Sequence, residues 1–275
     1  MNNTIHNPAT ISARLTYDRH TIHYLKIGTG NQALIALHGY GDKAKLFEPL
    51  VDSLGERYTI YALDLPYHGA TRWDVEQLYT LADMVGIIEH LRQKEGIERF
   101  SMMGYSMGGK ITLALIPVFV KQLNEVFLIA GSGIRQSNWF YKLPIGLVHK
   151  MKHFVQHPKM YQRFLGVLHR YKLIARPIYN MYKAILDTET RRLKMYNTWL
   201  SLFDFKTPIA KIQKLLNKHK VKVNLLYGTR DQAINHTEAL YFAKGLKRVN
   251  LQLLDADHWL VNEHLNEALS RTIVH

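Results

Sequence analysis

Short runs rich in β-branched and aromatic residues alternate along the chain with longer segments of helical period, the pattern of a sheet carrying helices on both faces. Candidate strands are Ala13–Tyr17, Thr21–Ile27, Ala33–Leu37, Tyr58–Leu63, Glu98–Met103, Glu125–Ala130, Lys222–Tyr227 and Asn250–Leu254. They are enough for one wide, doubly wound, mostly parallel α/β sheet of eight strands. The apolar run Ile111–Val120 predicts a buried helix behind the fifth strand. From about Arg135 to Phe205 the pattern changes to basic and aromatic helical segments, broken at Pro144, Pro158 and Pro177. A stretch of that length is too long for a bare loop, so it predicts a helical cap inserted after the sixth strand and standing on the sheet. Residues 1–134 and 206–275 then form the core, and residues 135–205 the insertion.

Composition agrees with this outline. With 275 residues, 47% of them apolar, the chain can bury one large core and carry a modest insertion. Met1–Thr10 is polar and lacks the apolar centre of a signal peptide, and no apolar stretch is long enough to span a membrane. The expectation is a soluble, cytoplasmic protein. There is no cysteine, which excludes disulfides, thiolate catalysis and cysteine-held metal sites.

The chemistry collects at strand ends. Gly104-Tyr105-Ser106-Met107-Gly108 sets a serine between glycines where a strand turns into a helix, a sharp turn that projects the serine side chain out of the sheet. Eight serines and 17 glycines would produce such a motif by chance in roughly 3 per cent of chains, so its surroundings must decide. His38-Gly39-Tyr40-Gly41 follows the third strand, where a glycine-rich turn can aim backbone N–H groups as an oxyanion hole. Asp231 follows the seventh strand and His258 the eighth. Serine, aspartate and histidine thus occur in the order of a strand-end nucleophile, orienting acid and base, and the carboxyl ends of parallel strands share one crevice.

On these pieces, together with Asp64-Leu65-Pro66-Tyr67-His68-Gly69, Gly228-Thr229-Arg230-Asp231 and Asp257-His258, the chain resembles the α/β-hydrolase superfamily over nearly its whole length. The resemblance implies Ser106 as nucleophile, His258 as general base and then acid, Asp231 as its orienter, and the N–H groups of Tyr40 and Met107 as oxyanion donors. It implies an esterase, lipase or thioesterase that acts through an acyl-enzyme on a small-molecule ester or thioester with a hydrophobic acyl portion, needs no cofactor or metal, and has its pocket shaped by the cap. Two positions depart from the family pattern. Tyr67 replaces a usual glycine, and Asp257 precedes the histidine where a small residue is usual. The elbow through Lys110 is also similar to that of the menaquinone-pathway cyclohexadiene carboxylate synthases, lyases that would use the same serine and histidine for proton abstraction. A ligand-binding protein that keeps the elbow without turnover is a third reading.

Other features have plainer readings. Gly39-Tyr40-Gly41-Asp42-Lys43-Ala44 matches a dinucleotide fingerprint with Asp64 downstream, but a nicotinamide enzyme would leave Ser106, Asp231 and His258 unexplained. His68 reads as a loop stabiliser, and Asp255 with Asp257 as solvated loop charge. His149, His153 and His157 recur every fourth residue, yet Pro158 disfavours helix there and packing is preferred to metal binding.

Charge separates the two parts of the chain. The net charge is +14, and residues 135–210 hold 14 Lys and Arg against 3 Asp and Glu. That surface suits an acidic substrate, an anionic membrane or a nucleic acid; with no nucleic-acid module in the chain, no such partner is expected. Leu143, Leu147, Val148, Met151, Phe154 and Val155 form a helical stripe suited to peripheral membrane contact, though packing of the cap onto the core is the preferred reading, as for most amphipathic helices. Oligomeric state is not readable from the sequence.

Overall fold

The computed structural model describes residues 10–135, 158–174, 176, 179–180, 188–261 and 263–273. It contains an eight-stranded sheet of order β1-β2-β4-β3-β5-β6-β7-β8, formed by β1 (Ile11–Tyr17), β2 (His20–Ile27), β3 (Gln32–Leu37), β4 (Tyr58–Leu63), β5 (Phe100–Tyr105), β6 (Leu123–Ile129), β7 (Lys222–Gly228) and β8 (Val249–Leu254). β2 pairs antiparallel with β1 and with β4, and every pair from β4 through β8 is parallel. The mostly parallel α/β sheet read from the sequence is therefore present.

Parallel strands covered on both faces need continuous apolar runs. Accordingly β5 is buried at every position, β4 and β6 at all but one, and β3 at its last four. One face carries Leu34, Ala36, Ile60, Ala62, Met103, Tyr105, Phe127 and Ile129, packed with Phe47 and Leu50 of a 3-10 turn (Ala44–Leu50), Leu54 of α1 (Val51–Leu54), and Leu265, Ala268 and Leu269 from the last helix. Side chains alternate across a strand, and the intervening Ile35, Met102 and Leu128 are fully buried too, so the second face is also covered. α2 (Leu81–Glu95) and α3 (Met107–Phe119) pack together, and α3 also touches the helix Ile209–Lys218. Each fully buried Leu, Ile or Phe contributes about 1.5–3 kcal/mol.

The strand order creates the crevice. From β3 the chain first adds β4 on one side and then crosses to β5 on the other, so β3 and β5 diverge at a topological switch point. Their carboxyl ends are level, with Leu37 opposite Gly104.

Most strand ends lie one or two residues from the sequence reading, and two shifts bear on the site. β5 runs to Tyr105 rather than Met103, and α3 begins at Met107 rather than Ile111. Glycine suggested loop at 104, 108 and 109, but here it serves close packing. A Cβ on Gly104 would lie 2.5 Å from the Gly108 carbonyl oxygen, and one on Gly108 would lie 2.0 Å from that of Leu37.

The chain divides into two compact units: Met1–Trp73, Leu81–Arg135 and Phe205–His275 form one, Asp74–Thr80 and Gln136–Asp204 the other. The first also contains α6 (Ile209–Lys218), α7 (Thr237–Ala243) and α8 (Glu263–Ile273). In the second, the described helices include α4 (Pro158–Arg170) and α5 (Glu189–Phe203), the latter N-capped by the Thr188 side chain. Asp74–Thr80 joins this unit because the Asn197 side-chain amide donates to the Val75 carbonyl (2.5 Å) and the Tyr79 N–H to Ser201 Oγ (3.1 Å). The stripe Leu143, Leu147, Val148, Met151, Phe154 and Val155, with His149, His153 and His157, lies outside the described residues.

Candidate active site

Ser106 sits between β5 and α3 with φ 50° and ψ −115°, a backbone conformation that costs an L-residue about 1–3 kcal/mol. Its surroundings hold it there. Its N–H donates to the Ile129 carbonyl (3.0 Å), and its own carbonyl accepts from Gly109 N–H (3.0 Å), Ser132 N–H (2.9 Å) and Ser132 Oγ (3.1 Å). The end of β6 thus braces the turn at the end of β5.

The hydroxyl of Ser106 lies 2.9 Å from His258 Nε2, and His258 Nδ1 lies 2.7 Å from Asp231 Oδ2. The structure therefore brings together three residues from the ends of three strands. Asp231 occupies the loop after β7, its carboxylate fully enclosed; Oδ1 accepts from the N–H groups of Ala233 (2.7 Å) and Ile234 (2.8 Å). With one oxygen committed to the backbone, the other faces the imidazole. A carboxylate at Nδ1 favours the tautomer with the proton on Nδ1, leaving Nε2 to accept from the serine.

Asp257 does not compete for that ring. It is exposed, and its Oδ1 accepts from the Trp259 N–H at 2.9 Å. Asp255 is likewise on the surface, paired with Arg230 at 3.3 Å.

The turn after β3 holds Tyr40, and Met107 is the first residue of α3, whose N–H has no carbonyl one turn back to bond within the helix. His38 underlies this turn. It is fully buried, donates from Nδ1 to the Gly39 carbonyl (2.7 Å) and accepts the Leu65 N–H at Nε2 (3.0 Å), which defines a neutral ring. Burial, and next the neighbouring His68, hold its basicity far below the usual histidine range. His68 donates from Nδ1 to the Pro66 carbonyl (2.9 Å) and packs its ring edge-on with those of His38 and Tyr40. Tyr67, the departure from glycine, adopts φ 67°, the left-handed conformation that glycine takes readily.

Asp64 ties the two loops together. Its carboxylate accepts from Ala44 N–H (2.6 Å), Ala70 N–H (2.7 Å) and His23 Nδ1 (2.7 Å). In the segment that matched a dinucleotide fingerprint, Asp64 is thus fully engaged, and Ala44 opens a 3-10 turn instead of the α-helix that motif requires.

Three contributors were not singled out from the sequence. Tyr105 donates its hydroxyl to the His258 carbonyl (3.0 Å), and burial, followed by the charges of Asp42, Asp231 and Asp257, raises its pKa well above the usual phenol range. Ser132 braces the elbow as described. Asp42 folds back over Gly39, where a Cβ would meet its Oδ2 at 2.8 Å, and burial pushes its pKa up to about 6 against the opposing influence of His258. Their positions could have drawn notice in advance, since Tyr105 lies in the elbow, Asp42 in the glycine-rich turn after β3, and Ser132 just past the carboxyl end of β6. Among the described residues no group of three His, Asp or Glu is disposed to hold a metal ion.

The alpha/beta hydrolase fold family matches residues 32–265, and the chain belongs to that family. It is 31% identical over 125 residues to the uncharacterized hydrolase YugF of Bacillus subtilis, a match covering 44% of each chain. It is 30% identical over 121 residues to a pimeloyl-[acyl-carrier protein] methyl ester esterase of Nitrosomonas europaea, covering 43% of this chain and 45% of that one. These matches span less than half the length of either relative. A thermophilic esterase from Thermogutta terrifontis has a similar fold, with TM-score 0.70 and 14% identity over 97% of this chain and 98% of the other.

Proposed function

We propose that this protein is a serine esterase that cleaves a carboxylic ester or thioester with a hydrophobic acyl portion through an acyl-enzyme on Ser106. The observation that carries this reading is the continuous hydrogen-bonded series from Ser106 Oγ through His258 to the enclosed Asp231 carboxylate. As Ser106 Oγ bonds to the substrate carbonyl carbon, its proton passes to His258 Nε2 and the carbonyl π electrons move onto oxygen. The N–H groups of Tyr40 and Met107 would hold that oxyanion. Collapse expels the alcohol or thiol, which takes the proton from His258 and leaves the acyl group on Ser106. Water then gives a proton to His258 and attacks the ester, and the second collapse returns the proton to Ser106 and frees the acid. Asp231 keeps the imidazole oriented and stabilises its charged form. The relative from Nitrosomonas europaea, named for a methyl ester, supports an ester as the bond cleaved.

The test is hydrolysis of p-nitrophenyl esters of short and long acids, and of an acyl thioester, by wild type and Ser106→Ala. Hydrolysis that falls by about a million-fold in kcat in the variant supports the assignment. Turnover retained by Ser106→Ala, or absent from the wild type on every ester and thioester, contradicts it.

A further inference from the structure

α4 carries an exposed apolar stripe. Met160, Phe164, Val167 and Tyr171 are 50%, 42%, 50% and 70% exposed, and at about 100° per residue they fall within roughly 60° of one another around the helix. Tyr171 extends the stripe past the last helical residue, because its N–H still donates to the Val167 carbonyl at 3.0 Å. The inward face is a different one. Leu165 is buried, and His169 stacks on Tyr179 with ring centroids 4.5 Å apart. Monomeric proteins rarely leave a row of large apolar side chains in water without a use.

Charge indicates what meets it. Arg163 and Arg170, both exposed, flank the stripe on one side, and the exposed Lys172 and Arg176 follow the helix. Across residues 135–186 there are ten Lys and Arg and no Asp or Glu. A nucleic acid would use the basic groups but not the apolar row, and an acidic protein would need an apolar groove matched to that row. A bilayer containing anionic lipid uses both, accepting apolar side chains at the acyl boundary and arginines at the headgroups. A tyrosine at the end of the row suits the interface, where its ring is apolar and its hydroxyl wet. Among the described residues no helix is long and apolar enough to cross a membrane. We propose that α4 is a peripheral docking element that lays the Met160, Phe164, Val167 and Tyr171 stripe onto an anionic membrane surface, held by Arg163 and Arg170.

Co-sedimentation with phosphatidylcholine vesicles, with and without phosphatidylglycerol, tests this on the intact chain. Wild type is expected to bind the anionic vesicles at about 50 mM salt and to lose about tenfold or more of that binding at about 0.5 M. Val167→Ser with Tyr171→Ser, and separately Arg163→Glu with Arg170→Glu, should each weaken binding about tenfold or more. Leu253→Ser, at an exposed apolar residue of β8, should leave it unchanged, with circular dichroism showing all variants folded. No sedimentation with anionic vesicles, equal binding to neutral ones, or undiminished binding by both α4 double variants overturns the proposal. So does binding to a DNA duplex without binding to vesicles. Sedimentation is read without substrate, so its outcome is independent of whether Ser106 turns over an ester.

Discussion

The Tyr105 hydroxyl donates to the main-chain carbonyl of His258 across 3.0 Å, linking the residue before the elbow to the loop after β8. The two rings lie 5.5 Å apart, and the Tyr105 ring also lies against Gly39, where a Cβ would meet it at 3.0 Å. One side chain therefore spaces the elbow, the turn after β3 and the histidine loop. Tyr105→Phe keeps the ring and removes the tether. A lost hydrogen bond of this kind costs about 1 kcal/mol, so kcat on an ester should fall by about three- to tenfold, with KM within about twofold of wild type. Steady-state kinetics on p-nitrophenyl esters checks this.

Asp231→Asn should be more damaging. The amide oxygen can still accept from Ala233 and Ile234, so the loop should remain folded, but an amide N–H facing His258 disfavours the proton on Nδ1. By analogy with the same change in other triads, kcat should drop by about 10⁴. An unchanged circular dichroism spectrum with unchanged kcat would remove Asp231 from the proposed mechanism.

The meeting of Ser106, Asp231 and His258 was legible in the sequence because each follows a strand in a recognisable turn, and the chain order of serine, aspartate and histidine is restrictive. The sheet was legible for a related reason, since its central strands are apolar throughout. What escaped was set by contacts between distant segments. Tyr105 reaches His258 across 153 positions and Ser132 reaches Ser106 across 26, and neither distance leaves a local pattern. The glycines at 104 and 108 misplaced the ends of β5 and α3 for a different reason: the absence of a side chain reads locally as flexibility, whereas here it permits a helix to approach a strand. Likewise Asp74–Thr80 carries nothing in its composition to group it with a helix more than a hundred residues later.

Ser132→Ala removes one of the three donors that hold the Ser106 carbonyl. The two main-chain donors remain, so the elbow should persist with a stability loss of about 1 kcal/mol. Urea unfolding reads this as a lower midpoint at unchanged slope. A stability equal to wild type would show that the hydroxyl adds nothing to the brace.

Asp42 should make stability depend on pH. Its pKa is about 6 in the folded protein, against 3.8 as the ordinary value, so between those limits the folded state binds the proton more tightly. Its contribution is complete below about pH 4 and disappears as pH rises through 6. Discounted for partial exposure, the ionised carboxylate costs about 2 kcal/mol at pH 7. Asp42→Asn should therefore be more stable than wild type by about that amount at pH 7 and equal to it at pH 4. Urea midpoints at the two values decide, and an equal difference at both would contradict the assignment.

The most direct measurement of the central proposal is covalent. The protein is treated with a fluorophosphonate, then intact mass and peptide mapping are recorded for wild type and Ser106→Ala. A single adduct on the peptide containing Ser106, absent from the variant and slowed in Asp231→Asn, is the expected result. No adduct on the folded wild type, or one on another residue that persists in Ser106→Ala, would contradict nucleophilic catalysis by Ser106.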